Sequence, residues 1–165
     1  MSFQTHVNYN WDVGVEGDFA STNPRASVVV NGHALQVGPE GLVIGRFAWV
    51  DADEITATNK QPSGAGKPSG FVNRNKTAII TEYMASATMT YLPGQPAALM
   101  KQGDFWARSS NGGKRGQKVY ASTTDGNILC DNAGASHAGY IETDWYCANG
   151  AQANELVVIS SNAEY

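Results

Sequence analysis

A chain of 165 residues, 42% hydrophobic and only 16% charged, is long enough for one domain with its own core. At this length folding buries roughly 70% of the unfolded surface, so no metal or disulfide staple is needed. The formal net charge of −4 and the scatter of the basic residues exclude the clustered basic face of a nucleic-acid binder.

Residues 1–25 show no sustained period and mix Phe3, Tyr9, Trp11 and Phe19 with Gly14, Gly17 and Pro24. Aromatics without periodicity predict an extended arm that packs on something, since disordered tails are poor in them. The β domain is expected over 26–165. Within it, 27–30 and 34–37 bracket Asn31-Gly32, which predicts a two-residue hairpin. A turn at 38–41 leads into 41–59, where the first ten residues read as one extended strand. Leu42, Ile44, Ala48 and Val50 fall on one face of it, and Val43, Phe47 and Trp49 on the other. Because side chains alternate across a strand, this one must be covered on both sides, by its own domain or by another protein.

Residues 61–70 have the composition of a flexible surface loop. Further strands are predicted over 77–83 and 87–92, then over 98–101 and 105–108 around a turn at Gln102-Gly103. Another mobile loop is expected over 109–116. The runs 117–122 and 127–130 flank Asp125-Gly126, a second hairpin signal. Residues 140–147 give the cleanest one-sided strand, with Ile141, Thr143, Trp145 and Cys147 on one face, and 155–160 supply a buried final strand. No window sustains helical periodicity. Many short strands with Gly/Pro turns predict an all-β fold, a small antiparallel β-sandwich or barrel with an irregular N-terminal arm.

Catalytic signatures are lacking. Gly64-Ala65-Gly66-Lys67 imitates a phosphate loop, but Gln61 and Pro68 stand where that motif needs a glycine and a hydroxyl residue. Asp51, Asp53 and Glu54 are a carboxylate cluster with too few further oxygen ligands for calcium, and read as a solvated strand end. Cys130, His137 and Cys147 are three well-separated groups where structural zinc wants four with paired spacings. No recognisable nucleophile or acid partners His6 or His33 in sequence, and Asn75-Lys76-Thr77 is a chance match to a glycosylation sequon. No enzyme activity, cofactor or metal is expected. No stretch is long enough to cross a bilayer and residues 1–14 have no leader pattern, so no membrane partner is expected. In the reducing compartment this implies, Cys130 and Cys147 are expected as small, unpaired buried hydrophobes.

Several stretches together resemble the head decoration, or structural cement, proteins of tailed bacteriophages. They are 14–25 (GVEGDFASTNPR), 41–59, 68–74 (PSGFVNR), 103–108 (GDFWAR) and 116–122 (GQKVYAS) with the Asp125-Gly126 turn. The resemblance implies a virion protein, assembled in the host cytoplasm, that binds the exterior of the expanded capsid in many copies. It would bridge major capsid protein subunits and associate with itself as a trimer or dimer. Aromatic and arginine residues serve as interface anchors, so Asp18, Phe19, Asn23, Pro24, Arg25, Arg46, Phe47 and Trp49 are the candidate capsid or oligomer contacts, with the core as the competing place for Phe47 and Trp49. The alternative is a carbohydrate- or host-surface-binding β module on a virion, with Trp11, Trp106 and Trp145 stacking on sugars.

Overall fold

The structure is a computed structural model and describes residues 14–30, 32, 34–75, 80, 82–84 and 88–162. Among them are fourteen strands and no helix. Seven strands form one sheet in the order β1 (Ala26–Ser27), β9 (Leu99–Gln102), β6 (Gly70–Val72), β4 (Phe47–Val50), β5 (Thr56–Thr58), β2 (Leu35–Val37) and β8 (Pro96–Ala97). Five more are ordered β10 (Asp104–Arg108), β14 (Leu156–Ser160), β13 (Tyr140–Cys147), β11 (Lys118–Ser122) and β12 (Ile128–Asp131). The remaining pair, β3 (Leu42–Val43) and β7 (Thr90–Tyr91), makes a two-stranded ribbon. Pairing is antiparallel except between β2 and β5. The fold is all-β and does not close into a barrel; the larger sheets pack face to face as a sandwich.

The layers follow from side-chain alternation. Phe47 and Trp49 of β4, Phe71 of β6 and Met100 of β9 enter one core, where they meet Phe105, Val119, Ile128, Trp145, Val157 and Ile159 from the five-stranded sheet. Their neighbours Ala48, Val72 and Leu99 point the other way into a second core, with Leu35, Val37, Leu42, Ile44, Ala57 and Tyr91. The main core is held by aromatic contacts: Phe71 lies 5.1 Å from Phe105, and Trp145 lies 5.9 Å from Phe47 and 5.8 Å from Phe105. Tilted and edge-to-face ring pairs of this kind add about 1 kcal/mol each beyond area burial.

The run expected as one strand over 41–50 is two. The chain turns at Ile44–Gly45, where Gly45 adopts φ +80° and an added Cβ would lie 2.3 Å from Glu16 Cγ. Only glycine fits that left-handed position beside Glu16. Asn59 spans the break, accepting from the Val43 amide at 2.6 Å and donating to the Phe47 carbonyl at 2.9 Å. The expectation that both faces are covered holds for β4, and the chain itself supplies the cover.

Other elements differ in partner rather than place. The predicted 27–37 hairpin does not form: β1 pairs with β9, and β2 lies between β5 and β8. Asn31 lies outside the described residues, as does most of the predicted strand over 77–83. The short strands β9 and β10 do flank Gly103, but the glycine turns a corner from one sheet to the other, so they are not a hairpin. Residues 109–116 are not a free loop. Asn111 accepts from the Cys130 amide at 3.0 Å and donates to the Cys130 carbonyl at 2.7 Å, acting as a short strand beside β12. Cys130 and Cys147, expected unpaired, are joined as a disulfide in the buried layer beneath Gly113. Their strands flank β11 on either side, so tertiary packing brings together two thiols that the compartment argument kept apart.

The β11–β12 hairpin appears where Asp125-Gly126 predicted it, and its tip also couples the sheets. The Phe47 amide donates to the Gly126 carbonyl at 2.9 Å, and Gly126 has φ +68°. An added Cβ there would sit 2.0 Å from the Phe47 carbonyl oxygen. Gly126→Ala is expected to lower unfolding free energy by about 2–4 kcal/mol through combined strain and overpacking. Urea unfolding of the variant beside the wild type measures this.

Candidate contact surface

The candidate contact residues separate into three places. Phe47 and Trp49 are 0% and 1% exposed and belong to the main core. No partner can reach them in this fold, so they are removed from the contact set; large apolar side chains on a doubly covered strand are core first. Trp49 also spends its one polar atom internally, its Nε1 donating to the Gly66 carbonyl at 2.9 Å. This anchors the 61–70 loop, which lies on the surface as predicted. Arg46 is half-buried and ion-paired through Nη1 with Asp125 at 2.9 Å, bracing the β11–β12 hairpin tip.

Asp18, Phe19, Asn23, Pro24 and Arg25 do come together. Residues 17–20 run beside β10 as a further edge strand: the Gly17 amide donates to Trp106 O at 2.7 Å, the Trp106 amide to Asp18 O at 2.9 Å and the Ala20 amide to Asp104 O at 2.9 Å. Phe19 bridges to Phe105 and stacks on its ring at 5.0 Å, while the Arg25 guanidinium covers Phe19 at 4.3 Å. An exposed cation–π contact contributes about 0.5–1 kcal/mol. Asp18 meets Arg74 at 3.4 Å, and Arg74 N donates to Gly17 O at 2.8 Å, tying the segment to the end of β6 as well. Pro24 is exposed, and its carbonyl accepts from Asn162 Nδ2 at 3.1 Å.

The organiser of this surface is a residue that sequence reasoning passed over. Asp104 is 7% exposed, and its carboxylate accepts from Ser21 Oγ at 2.5 Å, Asn23 Nδ2 at 2.5 Å, Ser160 Oγ at 2.6 Å and Asn162 Nδ2 at 3.2 Å. Burial by itself would raise its pKa. The hydrogen bonds from Ser160, Ser21, Asn23 and Asn162 outweigh that and hold it below the usual carboxylate value. The visible signal was an acid between Gly103 and the apolar run 105–107; its partners lie 81 to 83 residues upstream and 56 to 58 downstream, beyond any local pattern.

The other motifs have structural roles. Asp53 Oδ1 accepts from the Ile55 and Thr56 amides at 2.9 and 2.8 Å, and Oδ2 from Thr56 Oγ1 at 2.5 Å, closing the turn between β4 and β5. The Thr56 hydroxyl first, then these amides, lower its pKa. His137 Nε2 lies 3.0 Å from Asp131 Oδ2. Lys67 pairs with Asp144 at 2.6 Å. The tryptophans proposed for sugar stacking are not presented as a platform: Trp145 is in the core and Trp106 lies against Gly14, while Trp11 lies outside the described residues.

A clasped pair of sheets, with Asp104, Asp53 and the Arg46–Asp125 pair holding edges and turns, defines an all-β protein whose polar clusters serve its own architecture. Residues 3–161 match the family described as XM1 gp53 minor capsid protein, and the chain belongs to that family. Over 100% of both chains it also resembles a chain from the capsid of Myoviridae phage XM1, at 19% identity and a TM-score of 0.62, a likeness of fold. No curated protein matches the chain. The protein is thus a structural, non-enzymatic, capsid-associated component of a phage virion.

Removing the Asp104 charge tests its organising role. Asp104→Asn is expected to cost about 2–3 kcal/mol in chemical unfolding, since it weakens charge-assisted hydrogen bonds in a buried setting. The sign of the pH effect follows from the lowered pKa: the Asp104 contribution is complete above the ordinary carboxylate pKa near 4 and is lost as pH falls through the lower folded value. The wild type is expected to lose stability below about pH 4 more steeply than Asp104→Asn in matched acid titrations.

Proposed function

We propose that the chain is a decoration, or cement, protein that binds the outer face of the expanded capsid in many copies and bridges major capsid subunits. Membership of a minor capsid family supports an attachment role. The observation that carries the finer reading is the set of large apolar side chains held in water on irregular segments: Tyr83 is 96% exposed, Met84 88% and Val29 85%. Met84 adopts φ +62°, a conformation that costs a non-glycine residue about 1 kcal/mol or more and is kept where surrounding structure or function demands it. Exposed apolar groups that gain nothing in the isolated chain gain on docking, as interface anchors do.

In this reading residues 1–25 are the arm and 26–165 the β domain, with the arm's exposed Pro24, Arg25 and the free part of Phe19 touching the lattice. Symmetric copies, as trimers or dimers, gain by multivalent attachment, so shallow contacts suffice without a deep pocket. Assembly takes place in the host cytoplasm, on the completed shell.

The test is sedimentation of the purified full chain with expanded, undecorated capsids, counting copies bound per capsid subunit. Saturation at a fixed ratio is expected, with heads that resist heat better than bare ones. Tyr83→Ala/Met84→Ala is expected to weaken binding at least tenfold while leaving the unfolding transition unchanged. Absence of binding by the wild type to expanded shells would overturn the cement role.

A further inference from the structure

Sheet edges expose unpaired N–H and C=O groups and invite pairing with other chains, so proteins cover them. Three of the four edges of the two large sheets are protected here. β10 is covered by residues 17–20 and β12 by residues 109–111, with Asn111 satisfying both backbone groups of Cys130. β8 begins with Pro96, which has no N–H to offer. The fourth edge, β1, has no strand on its outer side among the described residues, and the chain next forms a bridge at Val30.

The register shows which groups are on offer. Ser27 stands opposite Met100, and the next residue, Val28, donates inward to Leu99 O at 2.8 Å. Because hydrogen-bonded and non-hydrogen-bonded pairs alternate in an antiparallel ladder, the N–H and C=O of Ser27 point away from β9. The run 26–30 is Ala-Ser-Val-Val-Val, and its β-branched residues suit an extended, paired conformation. Beside this edge lies a cleft of about 370 Å³ between the sheets, lined by Ala26, Ser27, Lys67, Lys101, Asp144 and Trp145. Its charge is two lysines against one aspartate in a chain of net charge −4. Asp144 is paired with Lys67, whereas Lys101 has no ionic partner among the described residues.

We propose that the open edge of β1 receives an extended segment of a neighbouring capsid protein as an added strand, and that an acidic side chain of that segment enters the cleft to pair with Lys101. The backbone ladder supplies the attachment and the lysine sets register and choice of partner, the division of labour usual in strand addition. The excess of positive charge in the cleft selects an acidic strand over neutral ones. This inference rests on the capsid-binding reading above and locates one of its contacts.

Two variants of the full chain separate the components. Ser27→Pro removes the outward N–H and leaves the inward bond of Val28 in place. Lys101→Glu reverses the charge without touching the edge. Each is measured with the wild type against expanded capsids purified without this protein, after its unfolding transition has been shown to match. Both variants are expected to bind at least tenfold more weakly, and raising salt is expected to weaken the wild type more than Lys101→Glu. Amide exchange at Ser27 is expected to slow when the wild type docks, while that at Val28, already bonded to Leu99, is expected to stay unchanged. Wild-type occupancy by either variant overturns the inference while leaving the cement reading intact, as does exchange at the Ser27 amide that is already slow in the free chain. A photo-crosslink from position 29 to a second copy of this chain, rather than to a capsid subunit, overturns the stated partner. Failure of the wild type to bind removes both readings together.

Discussion

Everything in this molecule depends on a strand that can have no wet side. β4 presents Phe47 and Trp49 to one core and Ala48 to another, and β6 and β9 repeat the pattern with Phe71 opposed to Val72 and Met100 opposed to Leu99. A sheet whose central strands are apolar on both faces needs a layer above and a layer below. The five-stranded sheet provides one; the β3–β7 ribbon and the residues around β2 provide the other. The break at Gly45 makes this possible, because the same stretch that builds the central strand folds back to give part of its cover. Asn59 and Gly126 then satisfy backbone groups that the break would leave exposed.

The same economy governs the surface. Residues 14–25 are irregular yet held by the edge of β10, the aromatic stack on Phe105 and the buried carboxylate of Asp104. Asn23 and Asp18 thus serve the chain's own packing before they can serve a partner. A surface ordered in advance costs less to dock than one that orders on binding. Val29, Tyr83 and Met84 stay exposed, and among the described residues β1 has no strand on its outer side.

The capsid-associated class was legible because it rested on several stretches in order along the chain, and the family match spans nearly all of it. The contact residues were less legible. Aromatic and arginine content marks both cores and interfaces, and composition alone places neither: Phe47 and Trp49 went inward, Phe19 and Arg25 stayed at the surface. Asp104 was missed for the opposite reason, since a lone acid carries no local sign of the four distant side chains that converge on it.

Local physics determined what the sequence could show by itself. Period-two alternation placed β13, a short apolar run placed β14, the Asp-Gly turn placed the β11–β12 hairpin, and the double apolar face of β4 required cover on both sides. These depend only on neighbouring residues and on backbone preferences. Tertiary structure alone decided the rest: that β1 pairs with β9 and not with β2, that Gly103 turns between sheets, and that Cys130 and Cys147 meet across β11. Each is a choice among partners far apart in sequence, settled by which arrangement closes both cores at once, and no local pattern encodes that comparison.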